Sequence, residues 1–81
     1  MKNPVVYENG DKFWYNEKGQ YHRDDGPAII SINGSKEYWI SGKLHRDHGP
    51  AYEGAGGYKE YWLNGTRYKS LEEGLMEQAL G

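Results

Sequence analysis

Two short tracts carry most of the residues in this chain that could do chemistry. His22-Arg23-Asp24-Asp25-Gly26-Pro27-Ala28 returns as His45-Arg46-Asp47-His48-Gly49-Pro50-Ala51, 23 residues later. A histidine beside a carboxylate is the elementary unit of general acid–base catalysis, and His45-x-x-His48 places two imidazoles close enough in sequence to suggest a metal. Both readings meet counter-arguments. The tract occurs twice in a chain of 81 residues, and duplicated catalytic centres in so small a protein are uncommon. No Ser, Cys or Lys nucleophile stands at a fixed offset from either histidine. A structural zinc site asks for four good ligands, whereas the chain has no cysteine and the first tract carries Asp25 where the second has His48. An aspartate at a bend commonly hydrogen-bonds the backbone two residues on, and Arg23 and Arg46 can fork onto the neighbouring carboxylates. The tracts therefore read as braces for a bend. No catalytic residue, metal or cofactor is assigned.

The same spacing recurs outside these tracts. Lys36-Glu37-Tyr38-Trp39 returns as Lys59-Glu60-Tyr61-Trp62. Two motifs sharing one period make an internal repeat, and a period of this length belongs to arrays of stacked units. Each unit alternates short β-prone runs with turn signals. Asn9-Gly10, Asn33-Gly34 and Asn64-Gly65 are dipeptides favoured in type I′ hairpin turns, where both central residues take positive φ. Ser41-Gly42 and Asn16-Glu17-Lys18-Gly19 supply further turns, and Gly54-Ala55-Gly56-Gly57 reads as a looser connection; it lacks the Lys-Ser/Thr of a phosphate-cradling loop. The Gly-Pro pairs mark edges or bends, because Pro has no ladder N–H. Alternation puts Ala28, Ile30 and Ile32 on one face of a strand. The first copy is irregular: Lys12 aligns with Lys36 one residue out of step, so Trp14 and Tyr15 take the places of Tyr38 and Trp39, and an extra turn residue restores the register at His22. In the third copy Tyr68-Lys69 stands where His45-Arg46 stood.

The end of the chain changes character. Ser70-Leu71-Glu72-Glu73 is a capping-box pattern, with acidic residues at the positive end of a helix dipole. Leu71, Leu75, Met76, Ala79 and Leu80 form an apolar stripe at helical spacing. The expected fold is mostly β with one helix (α+β): an antiparallel meander of β-hairpin repeats over residues 10–69, capped by a C-terminal helix at 70–80, all in a single domain of residues 1–81.

Tyr38-Trp39-x-x-Gly42-x-x-His45 and Tyr61-Trp62-x-Asn64-Gly65 resemble MORN-type repeats, β-hairpin units of similar length built on an aromatic-x-Asn-Gly core. The His-Arg-Asp-x-Gly-Pro-Ala tracts look like a variant found in small phage and large-virus proteins. The Tyr-x-Gly before the aromatic and the His-Gly-x-Gly after it are absent. The resemblance thus implies hairpin geometry and a protein-interaction scaffold in place of lipid binding.

Composition agrees with a binding module. Aromatics make up 15% of the chain and hydrophobic residues only 36%, so large rings stand in for missing aliphatics. A net charge of −2 lacks the basic excess that non-specific nucleic-acid binding needs. The start of the chain has no long apolar run, which leads to the expectation of a cytoplasmic protein (host cytoplasm for a viral one) with no membrane contact. Trp39 and Trp62, at one repeat position, are expected in the core. Tyr21, Arg23, Asp24, Arg46, Asp47, Tyr52, Glu53, Tyr58 and Glu60 are the expected partner-contacting residues, since Tyr offers large contact area at little entropic cost. The expected function is that of a non-enzymatic phage-encoded inhibitor that docks on and blocks a host protein or defence complex, a CRISPR effector being one such target. The alternative is an aromatic-surface binder of single-stranded nucleic acid or a small ligand. An open sheet edge also gives a route to a homodimer.

Overall fold

The computed structural model describes residues 3–80; Met1, Lys2 and Gly81, the ends of the expected 1–81 domain, lie outside the described residues. Among the described residues nine short strands precede one helix: β1 Val5–Val6, β2 Lys12–Phe13, β3 Ile29–Ile30, β4 Lys36–Glu37, β5 Trp39–Ile40, β6 Lys43–Leu44, β7 Tyr52–Glu53, β8 Lys59–Leu63, β9 Thr66–Tyr68 and α1 Leu71–Leu80. Seven strands form one antiparallel meander in the order β1-β2-β3-β4-β7-β8-β9, and β5 and β6 form a separate hairpin. The principal extents, 42 × 31 × 16 Å, are those of a plate.

Turn chemistry sets this layout. Ser41-Gly42 (φ 48° and 80°) and Asn64-Gly65 (φ 49° and 82°) are two-residue turns with positive φ throughout, the backbone that matches the twist of flanking strands. Asn9-Gly10 and Asn33-Gly34 differ from the expectation. Only their glycines have positive φ, and each closes a longer turn: Gly10 N–H donates to Tyr7 O at 2.9 Å and Gly34 N–H to Ser31 O at 3.0 Å. The Asn side chains accept from Asp11 and Ser35 N–H instead. The segment 54–57 is no looser, since Gly57 N–H donates to Gly54 O (3.1 Å) and Gly54 N–H to Tyr58 O (2.7 Å).

The run 36–40 divides at Tyr38. Tyr38 N–H donates to Ala51 O on one side, while Tyr38 O accepts from His45 N–H on the other. Before this residue the chain pairs with β7; after it, with β6. The repeat thus bends its hairpin tip out of the main sheet, and the strands are short because each repeat changes partner in mid-run.

Burial also departs from simple alternation. The most buried apolar residues are Ala28 and Ala51 (both 0% exposed), Leu63 (2%) and Ile29 (6%). Ile30 is half-buried and Ile32 is 66% exposed, so the expected Ala28–Ile30–Ile32 face does not form. Proline at the bend resets the phase: Ala28 bonds Trp14 and Glu37 backbone on its two sides, and Ile29 begins the new strand. Trp39 and Trp62 are half-buried, flanking the core without entering it.

The helix forms where its caps predict, with Ser70 Oγ accepting from Glu73 N–H at 3.1 Å. It packs on β8 and β9, but through a different face. Leu75, Met76 and Leu80 are exposed, and Gly74 is the buried residue. A Cβ on Gly74 would lie 2.8 Å from Leu63 Cδ1 and 2.9 Å from Tyr68 Cδ2; the glycine is what lets the helix approach the last hairpin. Gly74→Val overpacks this contact and is expected to lower unfolding free energy by about 2 kcal/mol, whereas Leu75→Ala, on the exposed face, changes it by less than about 0.5 kcal/mol; urea titrations of the two variants check the difference.

Candidate functional site

The His-Arg-Asp tracts sit between successive hairpins, and the imidazoles of His22 and His45 each have both nitrogens engaged. His22 Nδ1 accepts from Ser41 N–H and His45 Nδ1 from Asn64 N–H, each at 2.9 Å. An accepting Nδ1 puts the proton of the neutral ring on Nε2. His22 Nε2 lies 3.1 Å from Asp24 Oδ1 and His45 Nε2 lies 2.9 Å from Asp47 Oδ1. The aspartates were expected to bond the backbone two residues on; Asp24 and Asp47 instead accept from the imidazoles and orient the rings. Ser41 and Asn64 are the first positive-φ residues of their turns, and the N–H at that position has no partner within its own hairpin, so a side chain from the preceding repeat takes it. A general base needs a free lone pair within reach of a substrate proton; here that lone pair is spent on the backbone.

The arginines complete the brace. The Arg23 guanidinium carbon stands 3.9 Å from the centre of the Trp14 ring and that of Arg46 stands 3.9 Å from Tyr38. Arg23 Nη1 donates to Pro27 O and Arg46 Nη1 to Pro50 O, both at 3.2 Å. Charge is balanced differently in the two copies. Arg23 Nε pairs with Asp25 at 3.0 Å, whereas Arg46 Nη1 pairs with Glu53 at 2.9 Å. The expected Arg46–Asp47 fork does not form; His48 has replaced the first copy's carboxylate, and Glu53 supplies another from the next strand. Gly26 and Gly49 leave room for this packing, since a Cβ would fall 3.0 Å from Arg23 Cζ and 3.2 Å from Arg46 Nη1. Main-chain bonds run in parallel, with Arg23 N–H donating to Trp39 O and Arg46 N–H to Trp62 O.

The two tracts do not converge. His22 reaches the turn at 41 and His45 the turn at 64. Asp24 and Asp47 remain well exposed. Among the described residues no group of three His, Cys, Asp or Glu side chains is placed to hold a metal ion. An open concavity of about 970 Å³ lies beside the first tract, with Trp14, His22, Arg23, Asp24, Asp25 and Ser41 among its walls.

A row of aromatic rings runs from the β1–β2 edge of the sheet to the β5–β6 hairpin. Ring centres are 4.8 Å apart for Tyr7–Phe13, 5.8 Å for Phe13–Tyr21, 5.4 Å for Tyr15–Tyr21 and 5.2 Å for Tyr21–Trp39. The last three of these rings, Tyr15, Tyr21 and Trp39, wall a shallow cleft of about 450 Å³. A hydrogen bond with Tyr7, followed by burial, pushes the Tyr15 hydroxyl up to about 12. At the other end of the sheet Tyr52 packs on Tyr58, and the Tyr58 hydroxyl donates to Glu60 at 2.7 Å. Glu60 also accepts from Trp62 Nε1 at 2.9 Å, as Glu37 does from Trp39. The Glu-x-Trp repeat in the sequence carries this bond, which spacing two residues apart in a strand would have signalled. These donors, Tyr58 first, hold the Glu60 carboxyl below the ordinary carboxylate value, and the same bond raises the Tyr58 hydroxyl. Of the expected contact residues, Tyr21 lies in the aromatic row, Tyr52, Tyr58 and Glu60 form one cluster, Glu53 is tied to Arg46, and the tract residues brace the repeats.

No protein-family model, curated protein or solved structure matches this chain.

Arg46→Lys keeps the charge but loses the planar stack over Tyr38 and the Nη1 donor shared by Pro50 O and Glu53, and is expected to cost about 1–2 kcal/mol of stability; His45→Ala, which frees the Asn64 amide, costs about 1 kcal/mol. Denaturant unfolding of each variant measures both. Because Glu60 titrates lower in the folded chain than in the unfolded one, its bonds stabilise above the unfolded carboxylate value and lose that effect as pH falls through the folded one. Glu60→Gln should therefore flatten the acid limb of a stability–pH profile measured by thermal melting.

Proposed function

We propose that this protein is a non-enzymatic protein-binding module that docks through the aromatic side of its sheet. The observation that supports the reading best is how the side chains are divided. His22, His45, Arg23 and Arg46, which could have done chemistry, are spent on holding hairpins together, while Tyr7, Phe13, Tyr15, Tyr21 and Trp39 form a continuous, partly exposed row with no polar task of comparable extent. Rigid aromatic anchors backed by a fixed sheet are the usual centre of a protein interface. The resemblance to phage and large-virus repeat proteins adds the setting: a small inhibitor that covers the working surface of a host protein or defence complex, of the CRISPR-effector kind.

The cleft formed by Tyr15, Tyr21 and Trp39 favours a second reading, a stacking platform for a nucleobase of single-stranded nucleic acid or for a small planar ligand. Affinity capture from the native cell, with wild type and with Tyr7→Ala and Tyr21→Ala, separates the two. A stoichiometric protein whose affinity falls at least tenfold in both variants is the expected outcome. Trp fluorescence that responds to a single-stranded oligonucleotide, with no protein retained, would establish the second reading instead.

A further inference from the structure

Register assigns the other face of the sheet. Val6, Lys12, Ile30, Lys36, Glu53 and Lys59 are successive cross-strand partners from β1 to β8, so they form one row on one face. The adjacent row, Val5, Phe13, Ile29, Glu37, Tyr52 and Glu60, belongs to the opposite face, the aromatic one. The charges separate accordingly. The aromatic side carries Glu37 and Glu60; the other carries three exposed lysines. None of the three lies in an ion pair among the described residues, whereas the single carboxylate in their row, Glu53, is already held by Arg46 at 2.9 Å. The irregular first copy exchanges Tyr38-Trp39 for Trp14-Tyr15, yet it keeps its lysine in the row.

We infer that this lysine row is a second docking surface, and that its partner is an acidic α-helical protein segment. Two inter-strand steps separate Lys12 from Lys36 and Lys36 from Lys59, about 9.5 Å each at ordinary strand spacing. Two turns of an α-helix advance about 10.8 Å, so carboxylates recurring every seventh residue meet one lysine each, and the flexible stems absorb the difference. Val6, 57% exposed, ends the row beside Lys12, and half-buried Ile30 lies between Lys12 and Lys36; both offer apolar contact to the same helix face. A nucleic-acid duplex fits worse. Its phosphates recur about every 3.4 Å along each strand, so most would face apolar side chains or Glu53, on a chain of net charge −2. This surface is independent of the aromatic side proposed above.

The test uses a synthetic helical peptide carrying Glu at every seventh position over three heptads, a peptide of the same composition with the glutamates permuted, and a DNA duplex. Binding is measured by calorimetry to the wild-type chain and to the triple variant Lys12→Gln, Lys36→Gln, Lys59→Gln. The lysines are exposed, so circular dichroism and melting should stay unchanged. The spaced peptide should bind at least tenfold more tightly than the permuted one, and the triple variant should lose that preference. Equal binding of both peptides, no binding, or tighter binding of the duplex overturns the inference. Tyr7→Ala and Tyr21→Ala should leave peptide binding intact, which keeps a failure here distinct from a failure of the aromatic-side reading.

Discussion

Each hairpin of this protein is fastened to the next by one histidine and one arginine, and the rest of the structure depends on that fastening. A plate 16 Å thick has little interior, and among the described residues only four apolar ones are buried. Hydrophobic burial scales with area removed from water, so a sheet this thin gains much less from it than a two-layer domain does. Directional bonds must fix how one repeat sits on the next. The imidazole supplies one by accepting a turn amide. The guanidinium supplies several by covering a ring, donating to a proline carbonyl and meeting a carboxylate.

Net hydrogen bonds contribute only about 1 kcal/mol each, but an unpaired buried or half-buried donor costs as much or more. The repeat manages this for its turn amides by taking the imidazole of the preceding unit as the partner. The two copies then tolerate different charge solutions. Asp25 serves Arg23 from within its own tract, and Glu53 serves Arg46 from the following strand. What stays constant is the geometry of the guanidinium over its ring, 3.9 Å in both. The aromatic partner is itself exchangeable, Trp14 in one copy and Tyr38 in the other.

This division of labour leaves two unlike faces. One gathers rings, with Glu37 and Glu60 held by indole N–H groups. The other presents lysines in register. With His22, Arg23, His45 and Arg46 committed internally, the side chains that the repeat displays periodically are those of these two faces.

Much of the architecture was legible in the residues. The 23-residue period, the hairpin turns, the bends at Gly-Pro and the capped helix all rest on local backbone preferences, and local preferences are written locally. The bracing role of the His-Arg-Asp tracts also followed, because duplication argues against a single active centre. Other features depended on contacts distant in sequence. That His22 would serve Ser41 and His45 would serve Asn64, that Arg46 would choose Glu53 over Asp47, and that the helix would dock by Gly74 and not by its leucines were decided by which surfaces met in space. Ala28 and Ala51 became the most buried positions for the same reason. Sequence alone determined the repeat and the places where it turns, since these are properties of a few neighbouring residues; tertiary structure decided the partners of each polar group and the face each side chain shows, since both depend on where the chain bends and which strand arrives beside it.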